Sequence, residues 1–255
     1  MAQQGLLILF LLALLCKVMC TRSHHQSTKD PFTSSNIDGR FCLSWRLAVE
    51  TNNELPWRTV PNQCSQYVED YLIHGQYERD LELIMEQALN YVNGIPLVGD
   101  GMDAWILDVD DTCISNIYYY KSKNYGCDPY DPPAFRAWAV KGWCTAIPSV
   151  LRLFNKLIDN GFKVILLTGR DKETLYQATI DNLHNQGYIG YDQLIMRTTT
   201  YKGQSAVMYK SNIRKQLEDE AYRIWGNVGD QWSDLQGNSS GNRAFKLPNP
   251  MYFVP

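Results

Sequence analysis

The alternation of apolar and polar positions divides the chain into an apolar leader, a polar stretch, a helical lead-in and an alternating α/β body. Residues 5–16 (GLLILFLLALLC) are an unbroken apolar run. The run is too short to cross a bilayer and is followed by Val18 and Cys20 at cleavage-site spacing, so residues 1–20 read as a secretory signal peptide. Residues 21–40 are rich in Ser, Thr and His, lack periodicity and read as a flexible segment. In YERDLELIMEQALNYV (77–92), Leu81, Ile84, Met85, Ala88 and Val92 fall at helical spacing ahead of Gly94 and Pro96, which predicts a helix. Residues 42–98 are expected to be mostly helical.

The body opens with AWILDV (104–109), a short buried-strand pattern bounded by Gly99, Gly101 and Asp103. KVILL (163–167), LIM (194–196) and YRIW (222–225) repeat it, separated by amphipathic stretches at 149–160, 172–186 and 204–219. Buried strands alternating with amphipathic helices predict an α/β fold, a parallel sheet with helices on both faces. Residues 113–148 break the rhythm with Pro129, Pro132, Pro133 and Tyr118–Tyr120. They read as an insertion over the carboxyl edge of the sheet, where such folds keep their sites.

Composition adds exclusions. A formal charge of −3 with interspersed signs lacks the footprint of a nucleic-acid binder, and no further stretch is apolar enough to span a membrane. Cys42, Cys64, Cys113, Cys127 and Cys144 lie beyond the leader, an odd set that leaves at least one thiol without an intrachain partner. Spacing does not choose among the connectivities. The favoured pair is Cys42 with Cys64, closing a loop worth roughly 3 kcal/mol; Cys127 with Cys144 comes second, leaving Cys113 single.

Chemistry concentrates at the predicted strand ends. Asp108, Asp110 and Asp111 in DVDDT close the first strand. Carboxylates there repel one another and lose hydration unless a cation or a reaction uses them. A calcium loop begun at Asp108 would need Gly at 113 and Glu at 119, where the chain has Cys113 and Tyr119. Thr168-Gly169-Arg170 closes the second strand with a hydroxyl, an open backbone amide and a guanidinium, a group suited to an anion. Lys210 lies in VMYKS, and Asp230 and Asp234 in GDQWSD follow the fourth strand. Asp108 leaves its strand first and is the expected carboxylate nucleophile. Asp110 returns to the same side two residues later as general acid and base, and crowding by carboxylates is expected to raise its pKa. The GxSxG pattern at 237–241 is not a nucleophile elbow, since its flanks are loop-like and no His follows His184. Asn238-Ser239-Ser240 is a glycosylation sequon.

DVDDT, LLTGR, the isolated Lys210 and GDQWSD resemble the four motifs of the haloacid dehalogenase (HAD) superfamily. CLSWRLAVE, YVEDYL, GQYERD, DAWILDVDDT, YRIWGN, GDQWSDL and FKLPNPMYFVP resemble the plant class B-like (subfamily IIIB) acid phosphatases and vegetative storage proteins, across nearly all of residues 42–255. Asp111 stands where the family often has Glu, and Cys113, Cys127 and Cys144 are departures. The resemblance implies a HAD-like Rossmannoid domain over 41–255 with a small cap at 113–148, and hydrolysis of small phosphate monoesters through an aspartyl-phosphate. It implies Mg2+ held by Asp108, the backbone carbonyl of Asp110 and Asp230, with Asp234 in support, and phosphoryl oxygens held by Thr168, Gly169 and Lys210, with Arg170 helping. It gives Asp111 and Thr112 structural roles and suggests a homodimer. The product is expected in the secretory pathway, outside the cell or in a vacuole. A nutrient reservoir with weak or absent hydrolysis is the alternative, and a phosphate-ester binding module a third reading.

Overall fold

The computed structural model describes residues 34–255; the leader at 1–20 and residues 21–33 lie outside the described residues. Helix α1 (Ser34–Glu50) starts inside the segment expected to be flexible, so residues 34–40 are helical rather than irregular. Its inward residues Cys42, Trp45 and Val49 recur every three to four positions and are buried, a spacing that holds one face of the helix on a core. A disulfide ties Cys42 to Cys64, just ahead of α2 (Ser65–Ile73). Helix α3 (Gln76–Asn93) follows, with Leu81, Met85, Ala88 and Val92 on its buried face.

The main sheet begins with β1 (Asp103–Leu107), all five residues buried. Between it and the next long strand come β2 (Ile114–Ser115), α4 (Ile117–Lys121), α5 (Pro132–Ala139) and β3 (Thr145–Ala146), the last pairing antiparallel with β2. Helix α5 starts where Asp131 accepts a hydrogen bond from Ala134 N at 3.1 Å, with proline in the first turn, a favoured opening because proline has no amide to leave unpaired. Helix α6 (Pro148–Asp159), β4 (Lys163–Asp171), α7 (Lys172–Asn185), β5 (Gln193–Arg197), α8 (Ala206–Asp219), β6 (Arg223–Gly229), the single turn α9 (Trp232–Leu235) and β7 (Arg243–Lys246) complete the order.

The five long strands run parallel in the order β5-β4-β1-β6-β7. Alternation along them sorts the core into two layers. Trp105, Leu107, Val164, Leu166 and Val228 pack with α3 and α6, whereas Ala104, Ile106, Ile165 and Leu167 pack with Tyr209, Ile213 and Leu217 of α8. A third cluster joins α1 and α2 to the insertion through Trp45, Trp57, Tyr71, Tyr119 and Tyr120. The insertion therefore leans on the helical lead-in, and its tyrosines divide: Tyr119 and Tyr120 are core, Tyr118 is exposed.

The second expected disulfide does not form. Cys127 Sγ lies near Pro61 O, while Cys144 is fully buried against Asn116 and Arg170. The two thiols belong to different packing clusters, so no bond joins them.

Candidate active site

Parallel register brings four strand exits to one edge. The Asp108 amide still donates to Val228 O at 3.0 Å, so the acid sits where the β1–β6 ladder ends and its side chain is buried. The chain then turns tightly: Cys113 N and Ile114 N both donate to Val109 O at 3.0 Å, and Asp111 takes a φ of +54°. Aspartate tolerates that left-handed conformation better than most residues. On the neighbouring strand end, Gly229 allows Asp234 to fold back, since an added Cβ would lie 2.4 Å from the Asp234 side chain.

The carboxylates of Asp108, Asp230 and Asp234 converge, with one oxygen of each lying within 4.8 Å of the others. Lys210, projecting from α8, places its ammonium in contact with both Asp108 and Asp234. Burial first, then the Asp234 charge, pushes the Asp108 carboxyl well above its ordinary range, against the opposing pull of Lys210. Burial and Asp234 likewise push Asp230 up to about 6. Lys210 is driven the other way from what burial alone would do: its two carboxylate partners raise it. Asp234 is thus a full member of the cluster rather than an accessory to it.

Asp110 stands apart from that trio. Arg170 Nε reaches its two oxygens at 3.1 and 3.0 Å, Arg170 Nη2 reaches Oδ1 at 2.7 Å, and Asn116 Nδ2 donates at 2.8 Å. Burial would raise this carboxyl, but the guanidinium and the amide outweigh it and hold Asp110 below the usual carboxylate range. The expectation of a raised pKa is therefore corrected: the guanidinium beside Asp110 counts for more than the neighbouring carboxylates. Arg170 does less with an open site than expected and more with Asp110. It is itself buried, donating also to Thr179 Oγ1 at 3.2 Å and touching Cys144 Sγ at 3.6 Å.

Gly169 is exposed at the site, while Thr168 is fully buried and its hydroxyl accepts the Arg170 amide at 3.1 Å. Asp111 faces away from the cluster. It accepts from Asn116 N at 2.8 Å and Tyr252 OH at 2.9 Å, and burial lifts it to about 7. Thr112 braces Asp230, accepting its amide at 3.0 Å and donating to its Oδ1 at 3.3 Å. Asn116, which binds Asp110, carries no periodicity or motif signal in the sequence; Asn249, which binds Asp230, lies in the family-like segment FKLPNPMYFVP, but nothing in that segment points it at an acid of the site.

A cavity of about 450 Å³ opens over this edge, with Asp108, Asp110, Gly169, Lys210, Asp230 and Asp234 at its floor and residues of the insertion and the C-terminal segment on its walls. The donor set fits a divalent cation. Three buried carboxylates face a single ammonium, and the buried Ser233 hydroxyl on the cavity lining has no hydrogen-bond partner among the described residues. Hard oxygen donors with room for water suit a small hard ion.

A five-stranded parallel sheet that gathers buried carboxylates around one lysine at its carboxyl edge defines an α/β domain of the HAD architecture. Its fold is that of the class C acid phosphatase from Bacillus anthracis, with a TM-score of 0.62 and 18% identity over 75% of this chain and 85% of that one. Residues 28–255 match the family described as HAD superfamily, subfamily IIIB (acid phosphatase), and the chain belongs to that family. It is 42% identical over 213 residues to acid phosphatase 1 of Solanum lycopersicum, covering 84% of this chain and 83% of that protein. It is 41% identical over 216 residues to vegetative storage protein 2 of Arabidopsis thaliana, covering 84% and 80%. An enzyme of the phosphatase class is what fold and relatives together support.

Proposed function

We propose that the protein is a Mg2+-dependent acid phosphatase that hydrolyses small phosphate monoesters through a phosphorylated Asp108. The observation that carries this reading is the convergence of Asp108, Asp230 and Asp234 beneath an open cavity, with Lys210 paired to Asp108 and Asp234 and Asp110 held beside them by Arg170.

Phosphoryl transfer asks the protein for positioning and charge stabilisation. Asp108 attacks phosphorus in line while the ester oxygen leaves. The Gly169 amide, open to the cavity, donates to a phosphoryl oxygen, the buried Thr168 hydroxyl holds the Arg170 amide behind it, and Lys210 balances charge on Asp108 and Asp234. Asp110 is a carboxylate at rest. A phosphoryl dianion beside it adds like charge and competes for Arg170, which raises its affinity for a proton. Asp110 takes up that proton from solvent as the substrate binds and gives it to the leaving oxygen, and the proton it later takes from the attacking water returns to solvent when phosphate leaves. In the second half, Asp110 takes a proton from water as the water attacks phosphorus, releasing phosphate and restoring the Asp108 carboxylate. Asp108, Asp230, Asp234 and the Asp110 carbonyl would hold Mg2+, which when bound offsets the crowded negative charge and aligns the phosphate oxygens.

Relatives named as storage proteins keep a nutrient-reservoir role in view. A reservoir has no need of a nucleophile, and this chain retains Asp108 and every charged partner around it. The leader sequence and the Cys42–Cys64 bond favour the secretory pathway. The test is hydrolysis of a chromogenic phosphate ester with Mg2+ by wild type and Asp108→Asn: the mutant should lose at least three orders of magnitude in rate, and equal rates would refute the assignment.

A further inference from the structure

Residues 247–255 follow β7 without regular secondary structure and cross the carboxyl edge of the sheet beside the site. They are held there by specific bonds. Gln231 Oε1 accepts from Val254 N at 3.0 Å and its Nε2 donates to Tyr252 O at 3.2 Å. Tyr252 stacks on Tyr120 of the insertion at 4.7 Å between ring centroids. Gly126, at a φ of +95°, gives the strand of chain room to pass, because a Cβ there would lie 1.9 Å from Met251 O.

This strap delivers one side chain to the carboxylate cluster. Asn249 is buried, its Nδ2 donates to Asp230 Oδ2 at 2.6 Å, and its Oδ1 accepts from Met251 N at 2.9 Å. The Met251 bond fixes which end of the amide faces Asp230. Gln231 Nε2 donates to the same Oδ2 at 2.8 Å, and Thr112 Oγ1 donates to Oδ1 at 3.3 Å. A carboxylate has about four lone-pair positions. Two donors on Oδ2 and one on Oδ1 leave the last position on Oδ1, the oxygen not taken up by the strap.

We infer that Asn249 is a positioning residue for the divalent ion: the strap orients Asp230 so that Oδ1 keeps a free lone pair toward Asp108 and Asp234. The inference rests on the metal-dependent reading above and extends it to a residue far from the four strand-end segments. Partners that orient a metal-binding carboxylate set ion affinity by about 10–100-fold, because a ligand free to rotate must be ordered when the ion binds.

The experiment titrates Mg2+ into the full mature chain by calorimetry, without substrate, for wild type and Asn249→Ala. Asn249→Ala should bind Mg2+ at least about 10-fold more weakly, while at saturating Mg2+ its KM for a chromogenic ester stays within twofold of wild type. If Asn249→Ala lacks a cooperative thermal transition, the comparison is made with Asn249→Ser, which keeps a hydroxyl on the strap. Equal Mg2+ affinity in wild type and a folded variant overturns the inference and leaves the phosphatase reading standing. A wild type that hydrolyses the ester but binds no Mg2+ overturns the inference together with the metal assignment.

Discussion

Replacing Arg170 with methionine removes a charge that the fold has enclosed almost completely. The Arg170 side chain is 1% exposed and that of Asp110 19%, so the pair is buried on one side and edges the cavity on the other. Removing one partner of a buried ion pair costs about 3–5 kcal/mol, because the other charge is left without compensation. Here the lower end applies, about 3 kcal/mol, since Asn116 still donates to Asp110 at 2.8 Å. The stranded Thr179 hydroxyl adds about 1 kcal/mol. The expected total of about 4 kcal/mol lowers Tm by about 10 °C in a domain of this size. Urea unfolding of wild type, Arg170→Met, Asp110→Asn and the double variant measures it. Each single variant strands the other partner's charge, whereas the double variant leaves neither, so it should be more stable than the sum of single losses predicts, by at least about 2 kcal/mol. Single effects that add within about 0.5 kcal/mol, or an Arg170→Met protein within about 1 kcal/mol of wild type, would refute the buried-pair reasoning.

Three further expectations concern the scaffold. Asp103, at the opposite end of β1, is buried and accepts from Arg223 Nε at 2.8 Å, Trp225 Nε1 at 2.7 Å and Val98 N at 2.9 Å. The Arg223 hydrogen bond above all holds its carboxyl below the ordinary value. Its stabilisation is therefore present above the unfolded pKa of about 3.9 and is lost as pH falls through the lower folded value. Asp103→Asn should cost about 1–3 kcal/mol at neutral pH, with the gap to wild type closing in acid; a gap that stays constant in urea melts down to pH ~3 contradicts the assignment. Opening the Cys42–Cys64 bond, whose ends lie 22 residues apart, should cost roughly 3 kcal/mol. Thiol titration of the denatured, unreduced mature chain should find Cys113, Cys127 and Cys144 reactive, whereas a lone reactive cysteine would restore the discarded second disulfide.

The parts of the fold legible in the sequence are those where burial is continuous. Ala104–Leu107 and Val164–Leu167 are buried on both sides of the sheet, and a strand covered on both faces must be apolar throughout. The acids beyond β1 and β6 were legible for the complementary reason: clustered carboxylates at the end of such a strand need a use. Strand β7 gave no such sign, because only Phe245 of its four residues is buried, as befits a short edge strand. The pKa of Asp110 is not legible in the sequence because it depends on where one long side chain points. Arg170 and Asp110 lie 60 residues apart, and only the β1–β4 register brings them together. The roles of Asn116 and Asn249 are hidden for a similar reason: even within the family-like segment FKLPNPMYFVP, an amide becomes informative only when its partner is known.

The most direct test of the central claim is to catch phosphorus on Asp108. In a single turnover in heavy-oxygen water, quenched in acid, the peptide spanning Asp108 should carry the phosphoryl group transiently, and the heavy oxygen should appear in released phosphate. Hydrolysis that places heavy oxygen in phosphate with no phosphorylated peptide at any time point, including in a variant with Asp110→Asn to slow the second step, would contradict it.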